Sequence, residues 1–242
     1  MPQWLFAQDI ADFSANYLVR LNGLSAGELK RELSTNDDGS RTFSSTSQAK
    51  GVFAFFKPDL VEETSIWTLE GKSIRPQSYT YHRTGGKKEK YLNLKFDWKA
   101  QRVTIDNNKH IIELNIDPST LDKLVYQLAL MSDLQQHKKQ FSYLIADKDK
   151  VKTYNIVILG TEIITTPMGK IEAIKLERHH SGKKQRQTTL WCAPALHYLP
   201  VRIEHIEKDG TKFTAELRRL KGIDTVDAFA KKTTKISTLS SH

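Results

Sequence analysis

The chain has 242 residues, of which 38% are hydrophobic, and 37 Lys+Arg against 28 Asp+Glu leave a formal charge of +9. Its apolar runs fall far short of the ~18 residues a membrane-spanning helix needs, and Cys192, the one cysteine, rules out an internal disulfide. The basic excess raises the question of nucleic acid, anionic lipid or lipopolysaccharide as a partner. Its local concentrations, Gly86–Lys90 and His179–Lys184, fall at expected hairpin tips, where solvated turns are the plainer account.

Met1–Gln8 opens apolar and reads either as the end of a secretory signal peptide whose earlier part is missing or as a short segment packed on the domain. Asn22-Gly23 lies between alternating segments around Tyr17, Val19, Leu21 and Leu29, Arg31, Leu33, a strong hairpin signal. Asn36–Gly39 turns into Thr42–Lys50, Ser/Thr-rich and suited to an exposed strand. Gly51 marks a bulge or a bend before an apolar strand, Val52–Phe56. Thr64–Leu69, Ser73–Arg83 and the amphipathic run Leu92, Leu94, Phe96, Trp98 follow, and then Arg102–Ile105 and His110–Ile116 flank another turn.

One segment breaks the β pattern. Asp117-Pro118-Ser119-Thr120 offers helix-capping residues, and Leu121, Leu124, Val125, Leu128 and Met131 recur at helical spacing, which predicts an amphipathic helix over 118–135. Strands resume at Phe141, run through Val151–Ile164 and Ile171–Leu176, and reach Thr188–Glu207. There Trp191, Pro194 and Pro200 mark a structural corner, with prolines ending one strand and starting the next. The total is roughly fourteen strands and one principal helix. The expected fold is mainly β: a large, strongly curved, mostly antiparallel sheet forming an open barrel or β-spiral. The boundaries are an N-terminal segment 1–14, a single domain 15–221 and a flexible tail 222–242.

Four blocks in order carry a family resemblance: Leu21–Glu28, Asp122–Leu130, Thr166–Lys170 with Ile174–Arg178, and Leu190–Pro194 with Leu199–Glu204. Together they resemble the bacterial domain-of-unknown-function family 3108, a set of uncharacterised envelope proteins. The corner is also similar to curved-sheet periplasmic proteins of the lipoprotein-carrier type. The resemblance implies export to the periplasm and a signal peptide, absent or truncated in this chain, and transfers no catalytic residues.

No catalytic or nucleotide-binding fingerprint is present, and no cofactor is expected. Cys192 at a strand end reads as a small buried residue. His179-His180 and Glu62-Glu63 are adjacent pairs that point to opposite faces of a strand, so no metal site is expected. Tyr79, Tyr81, His82, Arg83, Lys88, Lys90 and Tyr91 interleave charge and aromatics, but nucleic acid is not the expected partner. A curved sheet leaves a concave face, and Phe53, Phe55, Trp67, Phe96 and Trp98 are the aromatics expected to line it, as core or around a ligand. The expected function is non-enzymatic: a periplasmic envelope protein binding a hydrophobic or amphiphilic ligand or an envelope component. The alternative is a protein-interaction scaffold without a cavity.

Overall fold

In the computed structural model, residues 10–56, 59–86, 88–179 and 186–229 are described. The N-terminal octet, Lys87, His180–Gln185 and the end of the expected tail, 230–242, lie outside the described residues. Fourteen strands make one sheet: β1 (Phe13–Leu21), β2 (Leu24–Thr35), β3 (Arg41–Ala49), β4 (Leu60–Glu70), β5 (Ser73–Thr84), β6 (Lys90–Asp97), β7 (Arg102–Asp106), β8 (Ile111–Asn115), β9 (Phe141–Asp147), β10 (Lys150–Thr166), β11 (Gly169–His179), β12 (Gln187–Ala193), β13 (Leu199–Ile206) and β14 (Lys212–Lys221). Each strand pairs antiparallel with its sequence neighbour, except that β8 and β9 form the two edges and β1 pairs with β14 in mid-sheet. Asn22 and Gly23, both at positive φ, make the first hairpin turn as their residue types require.

The sheet curls, and its β9 edge is met by the segment that follows β8. Beyond β8, the Leu121 amide donates to the Leu144 carbonyl and Leu121 accepts from the Ala146 amide, so a short strap lies along the free edge of β9. Helix α2 (Tyr126–Gln135) then runs through the interior with Leu128, Leu130, Met131 and Leu134 buried. Burial on several sides is what a helix enclosed by sheet requires.

The expected helix over 118–135 is therefore shortened. Leu121 is drawn into the ladder, and Asp122 holds the turn that leads into α2, accepting from the Leu124 amide at 2.7 Å and the Val125 amide at 2.9 Å, while the N-cap position itself is Val125. Val52–Phe56, expected as a strand, is a short helix, α1, started by Gly51 at φ 58°. The Ser/Thr-rich strand is not an exposed one: Arg41, Phe43 and Ser45 point inward and are buried. The corner at Pro194 and Pro200 is a hairpin connection rather than a junction between parts of the sheet. Pro194–Leu196 forms a single 3-10 turn, and Cys192 pairs directly with Pro200. At the C-terminal side, Ile223 is buried and Ala228 and Phe229 pack on the core, so residues 223–229 of the expected tail belong to the domain.

Candidate functional site

The inward positions of β1 to β5 alternate along each strand, and their polarity changes from bottom to top. At mid-height the interior holds a polar cluster rather than a channel. Ser65 on β4 donates to Asp122 at 2.5 Å, and Tyr79 on β5 donates to Glu63 on β4. Asp122, Ser65 and Tyr79 are fully buried. Burial pushes the Asp122 carboxyl up to about 6 against the pull of Ser65 and the Val125 and Leu124 amides. The same burial, with Glu63 alongside, raises the Tyr79 phenol. Beside them Lys123 lies over the Tyr81 ring, 5.3 Å from its centroid. On the opposite wall Arg31 donates to Gln127 of α2 at 2.6 Å. The strap and helix thus plug the barrel.

Among the described residues, two open clefts stand at opposite ends of the interior. The lower one is a cleft of about 390 Å³ among Trp67, Leu69, Ile74, Leu121 and Tyr143, rimmed by Lys72, Asp133 and Lys138. The upper one, of about 310 Å³, has an apolar wall of Val19, Leu21, Ala49, Phe53, Val61 and Phe213 and a polar edge of Gln48, Tyr81, Arg83, Asp59 and Glu207. Arg83 donates to Asp59 at 2.6 Å, so the edge is held by an internal ion pair. Gly27, next to this cleft, permits a close approach of β2 to β3: a Cβ there would sit 2.4 Å from the Gln48 carbonyl oxygen.

The five aromatics expected on the concave face divide. Phe53 lines the upper cleft and Trp67 the lower, where Arg41 stacks over the indole at 5.3 Å. Phe55 does not face the interior: it is 88% exposed, because the helical turn carries it to the side of α1 away from Phe53. Phe96 and Trp98 stack on each other with centroids 5.6 Å apart, and Trp98 donates to the Pro76 carbonyl; both line neither cleft. Trp191, assigned to the corner, lies inside β12 between Lys175 and Arg202 and donates to Glu162. Of the hairpin with interleaved charge, Tyr79, Tyr81 and Arg83 turn inward while His82 and Tyr91 meet edge to face. The small cleft-forming residues near hairpin tips, Ala49 and Val61, were not singled out by sequence. Their one signal is the continuation of the inward alternation to the strand ends.

A plugged, curled antiparallel sheet with open mouths defines a β-barrel-like protein. The profile of the family described as "Protein of unknown function (DUF3108)" matches residues 16–218, and the chain belongs to that family. No curated protein matches it. The crystal structure of a β-barrel-like protein of domain-of-unknown-function family DUF1849 from Brucella abortus is similar in fold, with a TM-score of 0.55 at 9% identity over 89% of this chain and 99% of that one.

Proposed function

We propose that this is a non-enzymatic periplasmic protein of the cell envelope that holds a single-chain hydrophobic or amphiphilic ligand in the upper mouth. The observation that carries the reading is the cleft of about 310 Å³ left open above a filled interior, with its apolar wall and one polar edge. Its volume lies at the small end of the ~300–1,000 Å³ range of ligand clefts, which favours one acyl chain over a diacyl lipid. The interior acids and hydroxyls bind one another beneath the cleft, an arrangement that supports packing over catalysis. The envelope assignment rests on the resemblance to envelope proteins.

Titration with dansylundecanoic acid, competed by laurate, tests the binding. Saturable one-to-one binding is expected in the wild type and its loss in Ala49→Trp, which fills the cleft. A wild type that shows no saturable binding sinks the reading. Osmotic-shock fractionation of cells carrying the full gene tests the location, and retention of the protein in spheroplasts counts against it.

One observation favours a scaffold instead. β9 pairs with β10 only through Ile156, so the rest of β10 keeps a bare edge, and Val157, Ile158, Leu159 and Ile163 are exposed there. Such an edge accepts an added strand from a partner. A stoichiometric protein captured from envelope extracts by the wild type and lost with Ile163→Lys would support it.

A further inference from the structure

The antiparallel order sends the β1–β2, β3–β4, β5–β6, β7–β8, β9–β10 and β13–β14 connections to one end of the barrel, the end of the upper cleft. That end combines two surface features. Val52 and Phe55, three residues apart on α1, share one outward face and are 68% and 88% exposed, and Leu24 at the adjoining hairpin tip is 65% exposed. The Lys50 amide donates to the Ala26 carbonyl, which holds α1 beside that tip. Around these apolar groups the connections carry exposed Lys50, Lys88, Lys90, Lys109, Lys148 and Lys208.

Most acids at this end are engaged. Among the described residues, Asp59 and Glu207 are paired with Arg83 and Arg186, Asp147 is buried and paired with Lys152, Asp106 and Asp209 accept from the Asn108 and Thr211 amides, and Glu89 and Asp149 are exposed. The opposite end is mixed: exposed Asp37, Asp38, Asp117, Asp224 and Asp227 stand there beside exposed Lys72, Lys99, Lys138, Lys139 and Lys170, so its exposed Leu69 and Val226 have no one-signed surround.

We infer that the α1 end docks on an anionic lipid surface, with Val52, Phe55 and Leu24 entering the headgroup region and the lysines facing lipid phosphates. Apolar tips encircled by lysine suit an anionic bilayer, because apolar burial and attraction to headgroups act in the same direction. An aqueous protein partner would instead need a shaped, continuous apolar patch. Docking of this kind does not require that the cleft hold a ligand.

Sedimentation with sucrose-loaded vesicles of phosphatidylglycerol and phosphatidylcholine tests the inference. The wild type is expected to bind the anionic vesicles, to bind phosphatidylcholine vesicles at least about tenfold less, and to release in ~0.5 M salt. Phe55→Ser is expected to lower partition about tenfold with an unchanged melting temperature, since its ring is outside the core, and Lys88→Glu with Lys208→Glu by a similar factor. Absence of wild-type binding, equal binding to phosphatidylcholine alone, or equal binding by Phe55→Ser overturns the inference. The two readings separate cleanly: Ala49→Trp should lose the dansyl probe and keep the vesicles, and Phe55→Ser should do the reverse.

Discussion

Asp122 shows how one carboxyl can tie a connection to a wall while weakening the fold at neutral pH. Its folded-state pKa, about 6, stands above the unfolded value of 3.8. A raised acid favours the folded state most where it is protonated, so its contribution is complete below pH ~4 and is lost as pH rises through ~6. The gap of about two pH units corresponds to about 3 kcal/mol. Asp122→Asn retains an acceptor for the Leu124 and Val125 amides and is expected to remove that pH dependence, with stability at pH 7 equal to or above the wild type; denaturant titrations at pH 4.5 and 7 check it. Asp122→Ala is expected to lose the bonds to the Leu124 and Val125 amides and the Ser65 bond, costing about 2–4 kcal/mol at pH 4.5 and less at pH 7, where the wild type no longer has the contribution of the protonated acid. Cys192, fully buried with its thiol pushed up to about 12 by that burial, is expected to stay unreactive toward a disulfide reagent until the protein unfolds. Labelling of the folded protein within minutes would contradict this.

Among the elements, α2 is the one whose loss would empty the interior. Leu128 is wholly enclosed there, and Leu128→Ala is expected to destabilise the protein by about 2–5 kcal/mol in urea unfolding, with the spread set by how far the barrel wall can collapse on the gap. The elements also show what sequence can reveal. Asn22-Gly23, the alternation through Leu92, Leu94 and Phe96, and the count of strands follow from local turn chemistry and period, and the structure has them all. The start of α2 was not legible, because the pull on Leu121 comes from β9, more than twenty residues away, and no local pattern records it. Val52–Phe56 has the composition of a strand, yet it lies beyond the last ladder position of β3 and closes into a turn of helix. The aromatic candidates failed in part for the same reason: the face of Phe55 depends on whether its neighbours are helical, and that was the unreadable step. The polar interior was hidden too, since serines at inward positions look like serines on a solvent face until Asp122 is placed against Ser65.

On the scale of the molecule, the order of strands divides the chain into two meanders, β1 to β8 and β9 to β14, each built wholly from hairpins between sequence neighbours. Among the described strand pairs, the β1–β14 ladder from Ser14–Lys221 to Leu21–Phe213 is the sole long-distance pairing, and it joins the two meanders. Hairpins zip quickly, whereas joining distant segments requires closing a loop almost as long as the chain. Refolding is therefore expected to be limited by this one joint. Leu217→Ala, buried opposite Tyr17, should slow the final refolding phase in stopped-flow fluorescence, while Leu94→Ala, inside a hairpin formed before that step, should leave the unfolding rate nearly unchanged. A nascent chain could thus hold its first eight strands in place for some time, with the N-terminal strand waiting, one edge unpaired, for the last strand to be synthesised.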